Sequence, residues 1–319
     1  MLKFISILLT REFKKIYFIF FILIILFVSL IVCYFSYKDY SFNNHQNIVV
    51  QNKLTEDEYY EIYSNGSYNN YLLYYESYIK ESMNKVKLSN LFSDNNLFCF
   101  ENIYKVQVFL SVFSIVIGSS ILLSEYKNGT IKLFLNVGAS RFKVFLSFLI
   151  SCIFLIIILN LILFLAFTLF LIIFNNSFEL FKLKVPIIFN DDVIYVNYYL
   201  KSFLKFILNM LPVIFIGSFS FFISIIFLSQ LFSLCLSFFL NVFGLVVFQW
   251  LLEYKIRFLM YSFIPYLDYT IFDDKLNIVL FNIEHGTNLS IFNGNVMLML
   301  YFVIAFFVSL WFFLKRDVN

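Results

Sequence analysis

The chain has 319 residues, of which 61% are hydrophobic, 22% aromatic and 13% charged, with a net charge of +3. Soluble domains run near about 45–50% apolar and about 25% charged. A mean hydropathy of +0.86 therefore excludes a soluble, disordered or collagen-like chain and leaves surplus apolar surface that must face lipid.

Residues 1–15 are basic and amphipathic. Phe4, Ile7, Leu8 and Phe13 fall roughly on one helical face, opposite Arg11, Lys14 and Lys15. Such a helix lies along a membrane interface with its cations on anionic headgroups. A plain basic topology signal accounts for the same pattern. A span needs about 20 apolar residues, and Ile16–Tyr34 is the first, free of charge. Arg11, Glu12, Lys14 and Lys15 precede it and no small-residue cleavage site follows, so it reads as a span and not as a cleaved signal.

Residues 36–105 form the largest loop. Thr55-Glu56-Asp57-Glu58 is a capping-box pattern that predicts a helix start. Asn65-Gly66-Ser67 predicts a turn. Tyr71, Tyr74, Tyr75 and Tyr78 then recur at helical spacing. Two readings stand for that tyrosine face. It is an outer substrate surface, or it is a small helical cap whose rings pack together at the interface, a level that Tyr favours in membrane proteins generally.

Val106–Ser124 is the second span and Val144–Phe174 the third. The run between Lys205 and Glu253 has no charge and is too long for one span. Ser229-Gln230 divides it into Phe206–Leu228 and Leu231–Leu252, joined by a tight turn. Val296–Phe313 is the sixth. Residues 175–205 and 253–295 read as outer loops. Asp273-Asp274 lacks the rest of a calcium loop and reads as solvated surface.

Six spans place both termini on one side. That side carries Lys3, Arg11, Lys14, Lys15, Lys127, Lys132, Arg141, Lys143, Lys315 and Arg316 against Glu12, Glu125 and Asp317. The positive-inside rule makes it cytoplasmic and puts residues 36–105 outside, in a bacterial plasma membrane. The expected architecture is an all-α polytopic membrane protein with a first span in residues 1–35, a small helical extracellular domain in 36–105 and a five-span region in 106–319.

The loop 125–143 carries the most local information. Asn128-Gly129 is a turn signal. Thr130 is suited to an N-cap, Ile131–Asn136 to about two helical turns, Gly138 to a left-handed C-cap and Ser140 to capping the third span. Leu133, Phe134 and Val137 give this short helix an apolar side and Lys132 a polar one. A two-turn helix is marginal alone, so it either docks into something or lies on the bilayer.

Within the spans the polar groups costly enough to need partners are Asn160, Asn209, Asn241 and Gln249. They line a cavity, or they make interhelical hydrogen bonds. A nearly charge-free interior opposes proton coupling and suits an amphipathic cargo. Cys33, Cys99, Cys152 and Cys235 show no CxxC spacing, and there are only two histidines, His45 and His285. No metal site is expected. Cys33 and Cys99 flank the outer segment and are the one pairing worth weighing. The eight glycines form no phosphate-binding loop, so the chain is not expected to bind ATP through one.

The run Glu125-Tyr126-x-x-Gly129-Thr130, then the adjacent Lys132 and Leu133, then Ser140-Arg141 at the base of the next span, resembles the loop of type-2 ATP-binding-cassette permeases. Two departures are Gly138, where that family often has Pro, and Phe148, where it often has Lys. The resemblance implies that this loop is a coupling helix contacting a separate ATPase through Glu125, Tyr126, Gly129, Thr130, Lys132, Leu133, Phe134, Ser140 and Arg141. It implies a transport subunit that is not itself an enzyme, with ATP and Mg on the partner and no cofactor of its own. A second permease, as homodimer or sister subunit, and membrane lipid are the further partners; nucleic acid is not. The implied cargo class is an antimicrobial peptide, drug or lipid. The alternative is a non-transporting membrane sensor or immunity protein that binds a peptide or lipid with its outer domain.

Overall fold

A computed structural model describes residues 2–13, 15, 18–34, 92–136, 138–175, 184–189, 192–253, 262–267 and 289–316. The helices are α1 (Leu2–Phe13), α2 (Phe18–Tyr34), α3 (Phe92–Lys127), α4 (Thr130–Asn136) and α5 (Arg141–Asn175), then α6 (Tyr198–Phe227), α7 (Gln230–Glu253) and α8 (Ile291–Lys315). One antiparallel hairpin, β1 (Lys184–Phe189) with β2 (Asp192–Asn197), lies between α5 and α6, with Lys184 opposite Asn197 and Phe189 opposite Asp192. It occupies part of the stretch expected to be a loop. The β-branched run of β2 favours an extended chain. Asn197 then ends the hairpin and starts α6, its side-chain oxygen accepting from the Leu200 amide at 3.3 Å.

Four helices are long and apolar enough to cross a membrane: Phe109–Lys127, Arg141–Ile173, Ser202–Phe227 and Ile291–Lys315. A fifth is added if α1 and α2, bent by 64° at their junction, count as one. The apolar stretch Gln230–Gly244 of α7 is shorter. Four or five of the six expected spans are thus present by length and composition. Residues 36–91 of the expected outer helical domain, with Tyr71, Tyr74, Tyr75 and Tyr78, lie outside the described residues, as do His45, His285 and Asp273-Asp274; residues 92–105 of it are the first part of α3, which runs on without a break into the second expected span. The Cys33–Cys99 pairing falls on Cys99, whose side chain is likewise outside them.

The chain forms two compact units. One comprises residues 1–28, 104–165 and 205–319; the other comprises 29–103 and 166–204 and contains the hairpin. In the first, α3 and α6 approach closely at paired glycines. A Cβ on Gly118 would lie 2.0 Å from the Gly217 carbonyl oxygen, and one on Gly217 would lie 3.0 Å from the Ser114 Cβ. Small residues let two backbones meet in this way, which is how helices associate where lipid offers no hydrophobic drive. Around the contact, the Ser114 hydroxyl donates to the Val213 carbonyl at 3.2 Å and the Ser220 hydroxyl to that of Ile115 at 3.0 Å.

Aromatic packing fills the remainder. Phe145 meets Phe221, Phe306 and Phe313 at centroid distances of 5.8, 5.6 and 5.7 Å, joining α5 to α6 and α8. Phe215, Phe219, Phe263 and Tyr301 form a second group with neighbours 5.2–5.8 Å apart. Such ring pairs each add about 0.5–1.5 kcal/mol beyond area burial. Phe263 and the adjacent turn Ile264–Tyr266 close onto a core that includes Ile115, Ile216 and Leu298. Burial pushes the Tyr266 phenol above its ordinary value, so it stays neutral.

The glycine contact yields a graded expectation. Gly118→Ala forces backbone to move and should cost about 1–3 kcal/mol. Gly244→Ala meets only the Ile264 Cγ2 methyl at 3.1 Å and should be much milder. Thermal unfolding of the detergent-solubilised variants checks the order, and an equal effect at the two sites would remove the case for close α3–α6 packing.

Candidate functional site

The short helix α4 is built by its two flanking glycines. Gly129 has φ +69 and Gly138 φ +88, both in the left-handed region that other residues adopt at a cost. Gly129 follows the end of α3, its amide donating to the Tyr126 carbonyl at 3.2 Å, and its own carbonyl accepts from the Lys132 amide at 3.1 Å. At the other end the amides of Gly138 and Ala139 donate to the carbonyls of Leu135 and Phe134, closing the helix as a left-handed C-cap does. Ser140 caps α5, its hydroxyl oxygen accepting from the Lys143 amide at 3.4 Å. Val137 lies outside the described residues.

Thr130 differs from the expected N-cap. Its hydroxyl turns back to α3 and donates to the Glu125 carbonyl at 3.0 Å and to Glu125 Oε2. The Glu125 carboxylate is fully buried. Its other oxygen, Oε1, is ion-paired to the Arg11 guanidinium of α1. One carboxylate therefore joins α1, α3 and α4. The reason is electrostatic: an ionised carboxylate removed from water must keep a cation and donors around it. Lys15 pairs in turn with Glu12 at the bend into α2, where Phe13 and Phe18 pack edge to face at 4.8 Å.

The faces of α4 divide differently from the sequence pattern. Ile131 is completely buried and anchors the helix. Phe134 turns toward α5, its ring 6.5 Å from that of Phe148. Leu133 is 62% exposed, and Lys132 and Asn136 stand beside it on the open side. Among the loop residues singled out from sequence, Lys132 and Leu133 face outward. Glu125 and Thr130 are brought together, Gly129 and Ser140 shape the turns, and Tyr126 is half-buried. Arg141 does not meet Glu125. It donates instead to the carbonyls of Leu314 and Arg316 at 3.0 and 2.5 Å, at the end of α8.

Of the four amide side chains singled out within the spans, Asn160 and Asn241 make interhelical hydrogen bonds. Asn160 of α5 is fully buried, its Oδ1 accepting from Gln107 Nε2 of α3 at 3.1 Å and its Nδ2 donating to the Ile156 carbonyl at 2.9 Å. Gln107 Nε2 also reaches the Phe206 carbonyl of α6 at 3.3 Å. Asn241 of α7 donates to the Ser111 hydroxyl of α3 at 2.6 Å. Asn209 is nearly buried, and its Nδ2 has no hydrogen-bond partner among the described residues. The side chain of Gln249 lies outside them. For Asn160 and Asn241 the hydrogen-bonding reading is the one that the geometry favours. Gln107 escaped notice in the sequence; the signal was an amide at the start of an uncharged apolar run, which must find a partner in lipid.

Among the described residues, no group of three or more His, Cys, Asp and Glu side chains comes together.

The long apolar helices are compatible with a membrane protein. The chain belongs to the family described as "Protein of unknown function (DUF2705)", whose match covers residues 84–319. No curated protein and no solved structure matches it.

The Glu125 junction predicts a selective sensitivity. Thr130→Val removes a half-buried hydrogen bond to a charged acceptor, worth about 1.5–3 kcal/mol, whereas Thr130→Ser keeps it. Amide exchange within residues 130–136 should rise by at least about tenfold in the first variant and little in the second. Equal exchange in both would mean that the hydroxyl does not hold α4.

Proposed function

We propose that this chain is the transmembrane permease subunit of an ATP-binding-cassette exporter, with α4 as the helix that receives its partner ATPase. The observation that carries the reading is the construction of α4. It is fixed from below by Ile131, Glu125 and Thr130, bounded by two left-handed glycines, and presents Leu133 and Lys132 outward. An exposed leucine beside a lysine on an otherwise anchored two-turn helix suits insertion into a groove of another protein. The loop resemblance to type-2 permeases supports the same assignment.

In this reading α2, α3, α5, α6, α7 and α8 are six spans, and both termini and α4 face the cytoplasm. The functional unit holds two permease chains, identical or sister, and two ATPase subunits that bind ATP and Mg. Closure of the ATPases displaces α4, which continues directly from α3 and leads into α5. The two long helices tilt together and open an outward path for cargo between the permease halves. The charge-poor interior suits an amphipathic cargo such as an antimicrobial peptide, a drug or a lipid, since it offers no ionisable relay for protons.

A mild-detergent pull-down of the tagged chain from its own cells tests this. An ATPase subunit should accompany the parent chain in stoichiometric amount. Leu133→Asp, a change on the open side of α4, should lose that subunit while leaving insertion and thermal stability unchanged. A chain that comes down without an ATPase, in a detergent that preserves such complexes, would overturn the exporter reading. A Leu133→Asp variant that keeps its ATPase in full would overturn the role of α4.

A further inference from the structure

Two arginines stand at the α4 end of the bundle without a carboxylate partner among the described residues, and both are spent on backbone carbonyls. Arg141 Nη1 donates to the carbonyls of Leu314 and Arg316 at 3.0 and 2.5 Å. Arg316 Nη1 donates to the Ile225 carbonyl at 2.5 Å, and its Nη2 to that of Ile226 at 2.8 Å. Leu314 is in the last turn of α8; Ile225 and Ile226 are in the last turn of α6. The last four carbonyls of a helix have no partner within it, and a cation there also meets the negative end of the helix dipole. Each guanidinium is thus a cap supplied to another helix.

The two contacts are in series. Arg141, the first residue of α5, holds the backbone of residue 316. The side chain of residue 316 holds the end of α6. Immediately beyond, Leu228 has φ 51, a left-handed conformation that a leucine adopts under constraint. Ser229 then caps α7, its hydroxyl oxygen accepting from the Phe232 amide at 3.3 Å. The grip of Arg316 on Ile225 and Ile226 therefore adjoins the most strained described turn of the bundle. A lysine at either position would fall short, because its ammonium ends one bond before the guanidinium nitrogens that reach these carbonyls, and it lacks the planar fork with which Arg316 reaches two carbonyls from two nitrogens.

We propose that Arg141 and Arg316 are positioning residues that form a two-step relay, carrying a displacement of α4 into the ends of α8 and α6 and so into the α6–α7 turn. The inference rests on the reading of α4 as a partner-contacting helix. α4 ends at Asn136 and α5 begins at Arg141, so a shift of α4 reaches the Arg141 side chain through one short turn. From there the pull passes to the α8 terminus and, through Arg316, to the α6 terminus and Leu228.

The test is amide exchange of the full chain in lipid nanodiscs, for the parent, Arg141→Gln, Arg316→Gln and the double variant. Among the described residues the hydrogen bonds of Arg141 end on residues 314 and 316 and not on α6. Even so, Arg141→Gln should speed exchange over residues 222–228 by about tenfold, and the double variant should go no further than Arg316→Gln alone. Parent-like exchange at residues 222–228 in Arg141→Gln, or single effects that simply multiply in the double variant, would overturn the relay. If the Gln variants unfold, Arg141→Lys and Arg316→Lys carry the same comparison, since they keep the charge and lose the reach of the guanidinium nitrogens.

A second measurement separates transmission from mere support. With the partner ATPase bound, a non-hydrolysable ATP analogue should alter exchange in both residues 130–136 and residues 222–228 of the parent. In Arg141→Lys it should alter only the first segment. A change in both segments of the variant overturns the relay. Failure to recover any ATPase partner overturns the transport reading instead, and leaves the first comparison to decide on the relay by itself.

Discussion

A polar group inside hydrocarbon has no water to fall back on, so each must find a partner within the protein or carry its full desolvation cost. The interhelical polar contacts of the described residues fit that constraint. It draws Gln107 of α3 to Asn160 of α5 and to the Phe206 carbonyl of α6. It draws Asn241 of α7 to Ser111. It sets serine hydroxyls of α3 and α6 against carbonyls of the opposite helix, beside the Gly118–Gly217 approach that makes such reach possible. Individually these bonds contribute only about 0.6–2 kcal/mol. Collectively they choose which faces of nearly uniform apolar helices turn inward, something that phenylalanine and leucine alone do not specify.

The same rule acts at the α4 end, with charge in place of amides. Glu125 is buried with Arg11 and Thr130 around it. Arg141 and Arg316 are occupied by carbonyls that terminate α8 and α6. Removing Arg11 or Thr130 would leave the buried Glu125 carboxylate short of a partner, which costs more than the bond itself. Charged residues at this end therefore do two things. They satisfy the positional bias of basic residues seen along the sequence, and they stitch helix ends together.

Sequence alone was informative where the signal is local. Charge-free runs of span length gave the long helices. Asn128-Gly129, Gly138, Ser140 and Ser229-Gln230 marked turns and caps, because a positive φ or a short polar side chain is a nearest-neighbour requirement. It was uninformative where the determinant is distant. The guanidinium contacts join residues 173 and 175 positions apart for Arg141, and 91 and 90 apart for Arg316, and no spacing rule announces them. The faces of α4 were misjudged for the same reason. Phe134 was expected to face outward with Leu133, yet Phe148 on α5 draws it in, and Ile131 is the residue that anchors. The hairpin at residues 184–197 falls in the stretch expected to be an outer loop, where Lys184, Pro186 and Asp192 interrupt the apolar pattern.

In the proposed transport cycle, the two ends of α4 have different duties. Its start is tied through Thr130 and Glu125 to α3 and, by Arg11, to α1. This end can transmit force only by moving those helices with it, since the buried carboxylate has no solvent to replace a lost partner. Its other end is a glycine turn with open space around it, where a Cβ on Gly138 would meet nothing within 4 Å. In the proposed cycle that end, which has no ion pair to another helix among the described residues, is the one that turns, and Arg141 opens the helix that follows it. A push on Leu133 from outside would therefore be resisted at the Glu125 side and yielded to at the Gly138 side. Rotation about the fixed start, more than translation of the whole helix, is the motion that this distribution of contacts favours. It would deliver the displacement to the first turn of α5, where the guanidinium contacts begin.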